Sequence, residues 1–447
     1  MGLTSQLARF ASALKLEDVP SAAVQAARTA ITDCLGVSLA AAQEPIAGVL
    51  REYLAEQGAA PRATAIGLGV RSSAELAALA GGAMAHALDF DDVSNPFSGH
   101  PTVVFGPAVL AAAEATGANG RQVLEGYIAG FEVGAALGRG LNPHHYHLGW
   151  HATSTLGSLG AAAAVSRVLG LNADQTETAI GIAASLASGI RRNFGSMTKP
   201  FHAGSAARAG VAAAFLARLG LTASPAGVEG PSGFAELYAG GVPEALEGAV
   251  GDLGRRWSLA EDGVWLKFYP CCASTHRSVD AVLNLMSQHG FAGADVEGVI
   301  SRVPPHQTKI LAYPRPATEL QAKFSMQYCV AAALTDGEVT LGSFTLDQVE
   351  RPEVQELMER IEMVAVPVEG ESTEVEVTLK DGRRLLYADA PPKGHPLNPL
   401  KPAEVEAKFR SCAAFVAGSR ANAALATLAR LEELDDIRAL MRDLHGE

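Results

Sequence analysis

The chain has 447 residues, with 48 Asp and Glu against 35 Lys and Arg, a formal net charge of −13. That balance argues against a nucleic-acid partner and requires any anion-binding site to be locally basic. The length exceeds what a single hydrophobic core serves, so two domains are expected; 48% of residues are hydrophobic but only 6% aromatic, an Ala-rich content suited to closely packed helices.

The five cysteines (Cys34, Cys271, Cys272, Cys329, Cys412) form no spaced framework, which points to a reducing compartment. The N-terminal stretch lacks the apolar core of a secretory signal. Apolar runs such as 152–169 are too short and glycine-punctuated to span a membrane. A cytoplasmic protein with no membrane partner is expected.

Residues 1 to about 260 read as successive helices. Ser21 opens a run with Val24, Ile31 and Leu35 at near-helical spacing. Ser72 with Glu75 is a capping-box pattern opening the run to Leu88. Further runs cover roughly 102–115, 120–140, 152–169, 173–190 and 201–219, and Gly170 and Gly220 stand where left-handed helix ends are needed.

After about residue 270 the pattern changes. Residues 296–304 and 360–368 alternate like strands, and 372–390 reads as a hairpin with Asp381–Gly382 as a type I′ turn. Helical patterns at 276–289, 320–335 and 346–359 intervene. A Pro-rich link, 391–402, precedes a return to helices. The fold expected is mainly α: a discontinuous helical domain, 1–268 with 400–447, and a smaller α+β domain, 269–399. No Gly-rich phosphate loop follows any strand.

Four clusters carry candidate chemistry. The first, DFDDVSNPFSGHP (89–101), packs Asp89, Asp91, Asp92 and His100 into one break between helices. Carboxylates so close need a cation, a hydrogen-bond donor or a shared proton, and Pro101 holds the backbone of His100 extended. The second, NPHHYHLGWHATSTLG (142–157), holds His144, His145, Tyr146, His147 and His151. A solvated loop is the reading for His144, His145 and His147. His151 opens a helix, a position that lowers an imidazole's pKa and suits acid or base work.

The third cluster, 191–210, sets Arg191, Arg192, Lys199 and His202 around a helix start, a basic patch that fits a carboxylate. The fourth, WLKFYPCCASTHRSVDA (265–281), sets Lys267, Cys271 and His276 at the junction of the two patterns, where ligand clefts are frequent. Tyr328, in AKFSMQYCVAAAL, is more often core than catalytic in such a setting. A metal site built from Asp89–Asp92 and the 144–151 histidines is the alternative, although no HExxH spacing supports it.

Taken in order, DFDD…GHP, GWHATSTLG, TKPFHAGSAARAG and KFYPCCASTH, with FSMQY and GHPLNPL downstream, resemble the MmgE/PrpD family over essentially the whole chain. The resemblance implies a homodimer with a large helical domain and a smaller α+β lid, a site between the domains, and no metal or organic cofactor. It implies a small polycarboxylate substrate, with a bond broken at the carbon α to a carboxylate.

By motif, Asp89, His100, His151, Lys199, Lys267 and Tyr328 match site positions. The expected catalytic set is His100 and His151 for proton exchange, Lys199 and Lys267 for carboxylate and enolate stabilisation, Asp89 as support and Tyr146 or Tyr328 as auxiliary acid. Arg191, His202, Cys271, His276 and Tyr328 are expected to bind substrate. Val93, Ser94 and one extra residue before His100 depart from the decarboxylase pattern, whereas Gly149-Trp150-His151 departs from that of the dehydratases and sets the chain nearer the decarboxylase and epimerase branches. The leading expectation is an epimerase of iminodisuccinate type. The alternative is a lyase, either a cis-aconitate-type decarboxylase or a 2-methylcitrate-type dehydratase.

Overall fold

The computed structural model describes residues 1–367, 372–388, 390–416 and 420–445. The protein is mainly helical. It divides into two units, Met1–Leu266 with Lys401–Glu447, and Lys267–Leu400. The division falls just before Lys267, which therefore belongs to the second unit.

The first unit is built on helices of small residues. Helix Thr198–Arg218 packs against helices Ala74–Ala87, Ala152–Val168, Ala173–Leu186 and Thr102–Thr116. Twelve of the fourteen residues of Ala74–Ala87 are buried, so this helix has no polar face and little helical periodicity to read. Its approach to Thr198–Arg218 rests on two glycines. A Cβ on Gly82 would lie 2.8 Å from the Cα of Gly204, and one on Gly204 would lie 2.0 Å from the Leu79 carbonyl oxygen. No larger residue fits either position without moving a backbone.

Helix boundaries follow local chemistry. Ser73, one residue beyond the expected cap, accepts a hydrogen bond from Leu76 N. Ser72 is instead the last residue of strand β2 (Val70–Ser72), pairing with Ala63 of β1 (Ala63–Ala65). Gly170 and Gly220 take the left-handed backbone, with φ of 64° and 96°. Among the described residues no helix is long and apolar enough to cross a membrane.

The chain returns to this unit at helix Pro402–Ala413, which packs on helix Ser21–Ala40. Its Lys408 Nζ lies 2.8 Å from Asp33 Oδ1, donates to the Phe90 carbonyl at 2.8 Å, and sits 3.8 Å over the Phe90 ring. The C-terminal segment thus grips the residue between Asp89 and Asp91.

The second unit holds a four-stranded sheet in the order β4-β3-β5-β6, formed by β3 (Val296–Val303), β4 (Ile361–Ala365), β5 (Glu374–Leu379) and β6 (Arg384–Ala388). β3 and β4 run parallel and the other pairs antiparallel. Val375, Val377 and Leu379 give β5 one buried face. Helix Ala273–His289 packs on β5, β6 and helix Met326–Asp336.

Three sequence expectations shift here. The 320–335 pattern is two helices, Glu319–Ala322 and Met326–Asp336, because Ser325 caps the second by accepting from Tyr328 N. The 346–359 pattern breaks before Pro352, which has no N–H to continue a helix. The hairpin turn is not type I′: of its two central residues only Gly382 takes a positive φ (88°), while Asp381 bonds Arg383 N and Nε through its carboxylate. Val368 and Asp389, at the ends of the two strand readings, lie outside the described residues.

Gly204→Ala is expected to cost about 1–3 kcal/mol, read as a lowered Tm. The exposed Gly248, with nothing within 4 Å of an added Cβ, should accept alanine at no cost or a gain of up to about 1 kcal/mol. Equal tolerance at both positions would remove the close approach as a constraint.

Candidate active site

The segment after helix Ala74–Ala87 doubles back on itself. Asp89 and Ser98 both take a positive φ (52° and 54°), a conformation that side-chain-bearing residues adopt at a cost, Asp less than most. Val93 pairs with Trp265, and Ser94 with Gly99. This folding separates the three carboxylates and gives each a different partner. Asp89 Oδ1 accepts from Lys199 Nζ at 2.6 Å. Asp91 lies between two imidazoles, 2.9 Å from His86 Nδ1 and 2.8 Å from His100 Nδ1. Asp92 accepts from Thr102 N at 3.2 Å and lies 2.5 Å from Thr102 Oγ1, itself 2.6 Å from the Tyr127 hydroxyl.

Their charges diverge accordingly. Burial pushes Asp92 up to about 8 against its Thr102 hydrogen bonds, with Asp91 and Asp33 adding to the rise, so it is largely protonated at neutral pH. Burial also works against an ionised Asp91, but His86 and His100 outweigh it and hold that carboxyl well below its usual range. Burial, aided by Lys199 and His100, brings His86 down to about 3 despite Asp91. Neutral His86 therefore donates its Nδ1–H to ionised Asp91. Its Nε2 is buried with no hydrogen-bond partner among the described residues.

His100 Nδ1 faces two acceptors, Asp91 Oδ2 at 2.8 Å and the Asp92 carbonyl at 2.9 Å. It must carry the hydrogen, which leaves Nε2 as the atom able to give or take a proton when the ring changes charge. The main-chain N of His100 donates to Thr153 Oγ1 at 3.1 Å, and its ring lies 4.4 Å from that of His86.

His151 is the N-cap residue of helix Ala152–Val168. Its ring stacks 6.0 Å from His86, meets Phe194 edge-on at 4.9 Å, and places Nδ1 3.1 Å from His202 Nδ1. Burial first, then Lys199, pushes His151 well down and His202 to about 4. Both are neutral at pH 7 and share one hydrogen between the facing nitrogens. Lys199 sits in the first turn of helix Thr198–Arg218, 4% exposed.

The structure thus brings together Asp89, His100, His151, Lys199 and His202. Sequence reading placed Asp91 in the first cluster without giving it a catalytic role, and it left out His86 and Phe194. His86 stands three residues before Asp89, one helical turn back, and that spacing was the available signal. Tyr146 and Arg191 form a pair of their own: the guanidinium lies 3.9 Å over the Tyr146 ring and Nη1 donates to the Tyr146 carbonyl at 2.9 Å. Backbone bonds from Arg191 N to the Gly149 carbonyl and from His151 N to the Gly189 carbonyl tie the segment before Arg191 to the start of the His151 helix.

Lys267, Cys271, His276 and Tyr328 belong to the second unit. Lys267 is fully buried. Cys271 Sγ lies 3.1 Å from Thr275 Oγ1, and His276 Nε2 lies 3.2 Å from the Cys271 carbonyl. Tyr328 is buried with its hydroxyl donating to the Ser343 carbonyl and its ring edge-on to Phe344.

The histidine-rich stretch is a short helix, His144–His147, rather than a loop. His144 and His147 are exposed, but His145 is buried, its Nδ1 3.0 Å from the Tyr238 carbonyl and its Nε2 2.7 Å from Thr155 Oγ1. Both its nitrogens are engaged, which takes it out of any metal-ligand set. Among the described residues His86, Asp89, Asp91 and His100 each offer a ligand atom within 4.8 Å of the others. In this structure Asp89 Oδ1 meets the Lys199 ammonium, and the Asp91 carboxylate meets both imidazoles.

The raised carboxyl gives a pH signature. A folded-state pKa above the unfolded value makes stability fall as pH rises from about 4 to about 8, by up to about 1.4 kcal/mol per pH unit. Asp92→Asn keeps one acceptor and one donor toward Thr102 and cannot ionise. Its stability relative to the parent should therefore rise across that window and level off above it, measured by urea unfolding at several pH values. A constant difference would mean that Asp92 ionises normally.

Both halves of the chain match family models, the MmgE/PrpD N-terminal domain over residues 5–246 and the MmgE/PrpD C-terminal domain over residues 269–433. The cis-aconitate decarboxylase of Homo sapiens is 30% identical, covering 99% of this chain and 95% of its own length. That of Mus musculus is 29% identical, over 99% and 93%, and that of Aspergillus terreus 27%, over 80% and 78%. With both domains matched in order, the chain is an enzyme of the MmgE/PrpD family.

Proposed function

We propose that the protein is a lyase that decarboxylates cis-aconitate or a close tricarboxylate relative. The names of the full-length relatives support this over the epimerase reading, and one observation on the site carries it. Of the four clustered imidazoles only His86 and His100 are backed by a carboxylate, and His86 is sealed and held neutral. His151 and His202 face each other and are also neutral. His100 is the one of the four that is both backed by a carboxylate and partly exposed, and so is placed to deliver a proton. Epimerisation needs a proton-exchanging group on each face of the carbon, whereas decarboxylation needs a single proton donor.

In this reading the Lys199 ammonium pairs with a substrate carboxylate, in a pocket dry enough to make that pairing strong. The bond from the α carbon to the departing carboxylate breaks and carbon dioxide leaves. The electron pair stays on carbon, spread over the adjoining unsaturation and carboxylate, and Lys199 stabilises it as charge develops. His100 Nε2 delivers a proton to that carbon, and solvent restores it. One tricarboxylate and one proton give one dicarboxylate and one carbon dioxide. Asp89 aims the Lys199 ammonium, and neutral His151 orients the substrate.

Incubation with cis-aconitate in D₂O tests this. The expected result is carbon dioxide release matched by one deuterium in the dicarboxylate product. Deuterium entering recovered substrate without carbon dioxide would point back to an epimerase. Hydration or loss of water without carbon dioxide would point to a dehydratase.

A further inference from the structure

Asp91 has no role in the reading above, although it is the most fully buried carboxylate of the three. Its side chain has no exposed area and lies within 3.0 Å of nitrogens from two rings. His86 Nδ1 is nearly equidistant from both Asp91 oxygens, at 2.9 and 3.0 Å, and Oδ2 also meets His100 Nδ1 at 2.8 Å.

We propose that Asp91 is the positioning residue that makes His100 the proton-transfer group, and that His86 is the buried donor that holds Asp91 in place for it. The proposal rests on His100 being the proton donor of the preceding section.

The other carboxylates cannot serve. Asp89 is committed to Lys199, and Asp92 is largely protonated and turned toward Thr102, offering His100 only its carbonyl. His86 cannot replace His100, because it has no exposed area and lies beside Lys199 and His100, which disfavour its cationic form. The side chain of His100 keeps 14% exposure, a route for exchange with solvent.

The groups set around His100 are the Asp91 carboxylate and Asp92 carbonyl that its Nδ1 meets, the Asp89 carboxylate within 4.8 Å, and His86 from helix Ala74–Ala87. Beyond them stand Lys199 from helix Thr198–Arg218 and His151 at the start of helix Ala152–Val168. Only Asp91 among these favours positive charge on the ring while also fixing its tautomer. The Asp–His pairing that orients and supports a catalytic imidazole elsewhere works in the same way.

The test combines a substrate-independent reading with kinetics. In histidine-labelled protein, ¹⁵N NMR should show His86 as a neutral Nδ1–H tautomer that does not titrate between pH 5 and 9, and neutral His100 in the same tautomer. Asp91→Asn should lower the His100 titration midpoint by about one pH unit or more. It should cut kcat by about 100-fold or more while KM changes less than about threefold.

His86→Asn, whose amide reaches the Nδ1 position, should keep kcat within about tenfold of the parent, whereas His86→Leu should fall as Asp91→Asn does. An Nε2–H tautomer for His100, or an unmoved midpoint and kcat in Asp91→Asn, would overturn the proposal. So would equal losses in both His86 variants. Should Asp91→Asn not fold, the parent tautomers and the His86 pair decide. Should cis-aconitate not be the substrate, the NMR result stands or falls by itself.

Discussion

The site depends on how closely two helices approach. Gly82 and Gly204 let the backbones of Ala74–Ala87 and Thr198–Arg218 touch. His86 lies one turn beyond Gly82 on one helix, and Lys199 little more than a turn before Gly204 on the other. With side chains at the crossing, both groups would move apart by more than a hydrogen bond tolerates. The chain then turns through Asp89 in a left-handed conformation, which aims that carboxylate at Lys199 and brings Asp91 back to His86. Packing of small residues, rather than a dense loop network, sets the geometry.

The burial that makes this packing possible also decides which groups are charged. An ion held in a dry interior survives only with a close partner. Lys199 has Asp89, and Asp91 has the N–H groups of two imidazoles. Groups whose burial outweighs any favourable partner become neutral: Asp92 keeps its proton, and His86, His151 and His202 stay uncharged at pH 7. In the proposed reading this leaves one ammonium for a substrate carboxylate and one imidazole, backed by a carboxylate, for proton delivery. Lys408 adds support from the C-terminal segment through Asp33 and the Phe90 carbonyl, so the residues flanking Phe90 are held from behind.

Much of this was readable from sequence where charge interrupts an apolar pattern. Asp89, His100, His151 and Lys199 all stand at helix breaks or first turns, where a polar residue is conspicuous. His86 does not: it sits inside a helix buried on nearly all sides, with no polar face against which a lone histidine stands out. His145 looked like part of a solvated loop because its neighbours are exposed, but its partners Thr155 and Tyr238 lie 10 and 93 residues away. The division of labour among Asp89, Asp91 and Asp92 was also hidden, since it follows from backbone angles at Asp89 rather than from spacing. In the second unit, strand alternation was legible, while the helix breaks at Ser325 and Pro352 turned on single residues.

The most direct test of the account is the kcat of His100→Gln with cis-aconitate, alongside thermal unfolding and ligand-induced stabilisation of the same variant. A fall in kcat of about 100-fold or more, with fold and binding retained, is predicted. A variant that folds, binds and turns over within about tenfold of the parent would contradict the claim that a single carboxylate-backed imidazole delivers the proton.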